Sequence, residues 1–144
     1  MNGSAVLTAA AGLLALTGGL VAPASAAPLA ETYVRQGSGR EICPSGYVCL
    51  YEHFHLNRDT PDWKVLVTNQ DVANLGGTYN MNDRTSSVYN NSSYTVRLYP
   101  NYNYWGVPLT VFPGETFDFT NDENQESGWY DDKYSSLKFV SGTR

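Results

Sequence analysis

Residues 82–87 read NDRTSS, and residues 131–136 read DDKYSS. Both run acid or amide, acid or amide, two unrestricted positions, then two hydroxyls. Both lead directly into residues of strand character, Val88-Tyr89 and Leu137-Lys138-Phe139-Val140. Short oxygen-bearing side chains are ordinary in turns. The same six-place pattern twice, 49 residues apart, beside Leu50-Tyr51 and Leu98-Tyr99 at a spacing of 48, marks an internal repeat. Two copies of so long a period are too few for a solenoid or propeller.

Working outward from the hexapeptides, almost nothing reads as helix. Runs rich in Val, Tyr, Phe and Thr at 48–51, 64–68, 95–99, 109–112, 116–119 and 137–140 are separated by clusters of Asn, Gly, Pro, Asp and Ser. That is the sequence form of a small antiparallel sandwich. Eleven Tyr and three Trp supply large buried area per residue for a short chain. The expectation is an all-β domain over 43–144 made of two four-stranded Greek keys packed face to face, the first about 43–92 and the second about 93–144.

The first 26 residues carry no Asp, Glu, Lys or Arg, run apolar from Ala5 to Val21 and end in Ala24-Ser25-Ala26. They read as a signal peptide for secretion, cleaved after Ala26. A membrane anchor fits less well, because Gly18-Gly19 and Pro23 interrupt the stretch and no basic flank follows. Residues 1–4 lack the usual Lys or Arg, so the true start codon is expected upstream. Residues 27–42, with Gly and Ser around position 38, read as an exposed N-terminal arm. The net charge of −5 lies wholly beyond residue 26. Such a chain lacks the basic patch that nucleic acid or anionic lipid requires, and acidity suits a cation. A monomer without a membrane contact in the mature form is expected.

The two cysteines, Cys43 and Cys49 in CPSGYVC, have Pro44 and Gly46 between them for the turn. In an exported chain they most simply form one disulfide. Closing so short a loop contributes roughly 2 kcal/mol.

Tyr99-Pro-Asn-Tyr-Asn-Tyr104-Trp-Gly106 resembles the aromatic hairpin of βγ-crystallin motifs, and both hexapeptides match that family's calcium signature. The first copy departs from the hairpin pattern, with Leu56 in place of the second aromatic and Arg58 in place of Gly; Arg takes a positive φ poorly. The start CPSGYVCLY is similar to the amino-terminal hairpin of secreted bacterial metalloproteinase inhibitors of the same fold. The resemblance implies two calcium ions, each shared between the halves. Asp83 and Ser86 of one hexapeptide and Asp132 and Ser135 of the other would be ligands, with main-chain carbonyls near Arg84, Lys133, Glu52 and Pro100. Asn82 and Asp131 would serve as secondary ligands or hold water. Calcium takes six to eight hard oxygens at about 2.3–2.6 Å, and sites of this extracellular kind bind at about 10⁻⁵ to 10⁻³ M.

Catalysis finds little support. Glu52-His53-Phe54-His55 would put both imidazoles on one face of a strand, but no third zinc ligand is apparent. Nothing resembles a nucleophile elbow or a phosphate-cradling Gly loop. Three non-catalytic functions remain: a calcium-binding structural or protective protein, an inhibitor of a secreted metalloprotease, and a killer-toxin-like or glycan-binding module using the rings of 99–105. For inhibition, the resemblance places the inhibitory loop in the second half, tied by a disulfide that this chain lacks. The exposed loops expected here are 56–63, with Leu56, Arg58, Asp59, Pro61 and Trp63, and 121–129. Leu56 is the best apolar residue they offer to a protease pocket.

Overall fold

The computed structural model describes residues 29–119 and 131–141, together with Ala22. The signal segment, Ala22 apart, and the loop 121–129 lie outside the described residues. Eight strands are described: β1 Thr32–Gln36, β2 Val48–Tyr51, β3 Lys64–Thr68, β4 Ser87–Asn90, β5 Thr95–Tyr99, β6 Leu109–Val111, β7 Thr116–Asp118 and β8 Ser136–Val140. One sheet runs β1-β3-β2-β4-β7 and the other β6-β5-β8, with every pairing antiparallel. No helix among the described residues is long and apolar enough to cross a membrane.

The strand sequences explain the layers. Along β2, Val48 and Leu50 face the space between the sheets with Leu66, Val88, Val96, Leu98 and Leu137, while Cys49 and Tyr51 face outward. That outer face is not open to water. Cys49, Tyr51, Val65 and Val67 pack there with Cys43 and Leu56, flanked by Tyr33, Ile42, Tyr47 and Tyr89. All four β2 residues are therefore buried, giving the unbroken apolar run of a strand covered on both sides. In β5, by contrast, Val96 and Leu98 point inward while Arg97, in the middle of the other face, is exposed to water.

The reading of 27–42 as an exposed arm needs correction. Residues 32–36 form β1, which pairs with β3 along its whole length from Thr32↔Thr68 to Gln36↔Lys64. Without it β3 would be an exposed edge whose unpaired N–H and C=O groups invite another chain. The segment TYVRQ shows weak apolar alternation because three of its five side chains stay exposed, so the strand is held by its ladder rather than its burial.

The two halves also exchange strands. β7, from the second half, hydrogen-bonds β4 of the first, and Val72 of the first half bridges Leu137 in β8. Neither half completes its sheet alone, and the exchange brings the two hexapeptides side by side at the junction.

Candidate metal centre

Each hexapeptide enters its strand through the same set of bonds. Ser86 N and Ser135 N donate to Tyr51 O and Tyr99 O, both at 2.9 Å. Ser87 Oγ donates to His53 O at 2.7 Å and Ser136 Oγ to Asn101 O at 2.6 Å. Each of these second hydroxyls in turn accepts a backbone N–H, from Leu56 and from Tyr104. The Ser pair therefore fastens the turn after β2 and the turn after β5. Across the junction, Asp83 N donates to Tyr134 O at 3.0 Å and Asp132 N to Thr85 O at 3.3 Å, so the hexapeptides brace one another. Asp83 and Asp132 both have φ of 51°, a left-handed conformation that Asp tolerates better than most residues.

Folding alone thus accounts for the hydroxyl pair and for an acid at the second place. It leaves one oxygen at the first place of each copy without a partner. Asn82 Oδ1 and Asp131 Oδ1 are both buried and make no hydrogen bond. A buried oxygen without a donor costs about 1–3 kcal/mol. The same cost at equivalent atoms of both repeats is what a cation or ordered water would relieve.

At the first junction Ser86 Oγ lies 3.2 Å from Glu52 O and 3.5 Å from Asp132 Oδ1, gathering a hydroxyl, a carbonyl and a carboxylate from both halves. Burial, and secondarily the charge of Asp131, hold the Asp132 carboxyl above the usual carboxylate range, against the opposing pull of Ser86 and Arg84. At the second junction Ser135 Oγ donates to Pro100 O at 2.9 Å, while the Asp83 carboxylate accepts from Asn82 Nδ2 at 2.7 Å. The structure thus brings Glu52, Ser86 and Asp132 together and sets Pro100 with Ser135. Asp83 turns to its own neighbour. Arg84 pairs with the Glu52 carboxylate, Nε donating to Oε1 at 2.6 Å. Lys133 is exposed at the place equivalent to Arg84.

The histidines leave the strand reading. His53 sits edge-on to Trp63 at 4.8 Å, and His55, beyond the end of β2, faces Asp59 and Asp118. Among the described residues no three of His, Cys, Asp and Glu converge as a metal cluster. Cys43 and Cys49 form the expected disulfide, 2.07 Å between sulfurs.

The assignment of Leu56 as the presented apolar residue is overturned. Leu56 is 2 % exposed and belongs to the outer core cluster, because the turn folds it under β2 to replace the aromatic of the other repeat. Arg58, Asp59, Pro61 and Trp63 stay exposed. Among the rings of 99–105, read from the sequence only as a sugar-stacking surface, Trp105 forms with Val107 the apolar tip of the other turn: Trp105 is 75 % and Val107 85 % exposed, with Tyr102 beside them. The signal was Gly106 and Pro108 on either side of Val107, two breakers that keep an apolar residue on a tight surface turn.

The family model described as peptidase inhibitor family I36 matches residues 36–112. Among solved structures, one from work on the evolution of the eye lens βγ-crystallin domain fold is 18 % identical, with 77 % of this chain and all of that one covered at a TM-score of 0.59. A βγ-crystallin from an archaeon is 27 % identical, covering 67 % of this chain and 100 % of its own at 0.50. One from Ciona intestinalis is 22 % identical, covering 65 % and 99 % at 0.51. A search of the curated proteins found no match.

Proposed function

Since the chain belongs to peptidase inhibitor family I36 and has the βγ-crystallin fold, we propose that it is a secreted, non-catalytic protein that binds calcium at the junction of its two Greek keys. The observation that carries this reading is the pair of buried, unpartnered oxygens, Asn82 Oδ1 and Asp131 Oδ1, in hexapeptides whose Ser hydroxyls meet the Glu52 and Pro100 carbonyls and, at the first junction, the Asp132 carboxylate of the other half. Hard oxygens of mixed kind with few carboxylates suit calcium at extracellular concentration rather than a transition metal. Glu52 O, Ser86 and Asp132 would hold one ion, and Pro100 O, Ser135 and Asp83 the other. A bound ion would supply positive charge at a junction where burial and Asp131 disfavour the Asp132 carboxylate.

Calcium calorimetry on the mature protein tests the reading, joined to thermal unfolding in chelator and in calcium. Binding to the native state alone stabilises by about 1.4 kcal/mol at ten times Kd. Asp83→Gly with Asp132→Gly, which keeps the left-handed backbone and removes the ligating oxygens, should remove that gain; a melting temperature indifferent to 10 mM calcium, on the order of ten times the weakest Kd expected, refutes the proposal.

A second reading, inhibition of a secreted metalloprotease, is favoured by the family and by the turn carrying Trp105 and Val107. Rigidity rather than area governs such binding. Here Asn101 N bonds Trp105 O at 3.2 Å and Ser136 Oγ holds Asn101 O, so the tip is presented on a fixed base. Inhibition of a thermolysin-type protease should fall at least tenfold in Trp105→Ala/Val107→Ala, with an unchanged melting temperature. Equal inhibition by the variant would place the contact elsewhere.

A further inference from the structure

The two junctions are alike in backbone and unlike in charge. Glu52 and Pro100 stand at equivalent places, each carbonyl accepting the hydroxyl of the first Ser. Only Glu52 adds a carboxylate, and its side chain is 7 % exposed. It lines a hollow of about 230 Å³ with Trp63, Arg84 and Asp132. Within it, the Arg84 guanidinium reaches Glu52 Oε1 through both Nε and Nη2, and Glu52 Oε2 accepts Lys64 N at 3.1 Å. Both oxygens of this nearly buried carboxylate are therefore occupied by donors of the chain itself.

We infer that Arg84 is a tethered counter-cation that sets the affinity of the first junction, holding Glu52 in reserve as a further carboxylate for a divalent ion. The inference rests on the calcium reading above. A cation entering the hollow meets Glu52 and Asp132 with one of their two charges already neutralised, and it must displace the guanidinium to engage Glu52. In the absence of metal the same guanidinium spares Glu52 the penalty of a buried unpaired charge. At the equivalent place of the second junction Pro100 offers only its carbonyl.

Calorimetry and thermal unfolding of variants separate these roles. Arg84→Gln should tighten calcium binding at one site by about tenfold, the scale of one unit charge removed a few ångströms from a divalent ion near a protein surface. It should also lower the melting temperature in chelator, since Glu52 is then unpaired. The gain should persist in Asp83→Gly and vanish in Asp132→Gly, and Glu52→Gln added to Arg84→Gln should abolish it. An Arg84→Gln isotherm identical to wild type, or a gain surviving Glu52→Gln, overturns the inference while leaving the calcium reading intact. Absence of calcium binding in both wild type and Arg84→Gln, by calorimetry and equilibrium dialysis, overturns both.

Discussion

The turn after β2 and the turn after β5 begin from the same anchor and end differently. In the first, His55, Leu56 and Asn57 take left-handed conformations in succession, with φ of 51°, 55° and 58°, and Arg58 returns to φ of −58°. In the second, Asn103 and Tyr104 are left-handed and Gly106 follows at 100°. The position expected to need Gly in the first repeat does not, because the strained backbone moves one residue earlier onto an Asn. That Asn57 is fully buried: its Oδ1 accepts from His53 N at 2.8 Å, and its Nδ2 lies within 3.2 Å of three carbonyls, those of Gly37, Trp63 and Lys64. The second turn spends no such network. Its tip stays in water with Trp105 and Val107 exposed. One repeat turns its hairpin inward to cover a sheet wrapped on both faces. The other, on a sheet whose outer face meets water at Arg97, presents its hairpin.

The largest test of this contrast is Asn57→Ala. It strips His53 N of its acceptor, removes the two amide hydrogens shared among the three carbonyls and puts Ala at a positive φ, so unfolding free energy should drop by about 3 kcal/mol. Asn101→Ala, at an exposed position of the second turn, should stay within about 0.5 kcal/mol. A loss under 1 kcal/mol for Asn57→Ala in denaturant titration, well short of the ~3 kcal/mol expected of such a network, would mean that the first turn does not depend on its buried amide.

The glycine test comes next. A Cβ on Gly106 would lie 2.6 Å from Pro100 Cγ at a φ of 100°. Gly106→Ala should therefore cost about 2 kcal/mol, while Arg58→Ala at the equivalent place costs next to nothing. Equal losses at both places would show that the turns share one backbone requirement after all.

A smaller effect belongs to the first half. Tyr51 Oη donates to Gly39 O at 2.7 Å, and burial, with Glu41 adding to it, pushes its phenol well above the ordinary value. Unfolded Tyr loses its proton near pH 10. Above that pH the folded chain keeps a proton that the unfolded chain releases, so stability should fall as pH rises past about 10. Tyr51→Phe should flatten that slope and lose about 1 kcal/mol at neutral pH. An unchanged alkaline slope in Tyr51→Phe would assign the effect to another group.

Much of this protein is legible in its sequence alone. The twofold repeat, the all-β class, the strands at 48–51, 64–68 and 95–99 and the Cys43–Cys49 disulfide follow from local pattern: apolar alternation, turn residues between runs, and two thiols a short loop apart. The hexapeptides are legible as loop-to-strand junctions because short hydroxyl and carboxyl side chains act on backbone within a few residues. Tertiary structure alone decided the rest. β1 exists because β3 needs a partner. Leu56 is buried because an inward turn replaces the missing aromatic. Arg84 closes on Glu52 from 32 residues away, and β7 leaves its own half to pair with β4. Each of these joins segments far apart in the chain, where the gain depends on which surfaces meet in three dimensions, and composition or periodicity along the chain carries no record of that meeting.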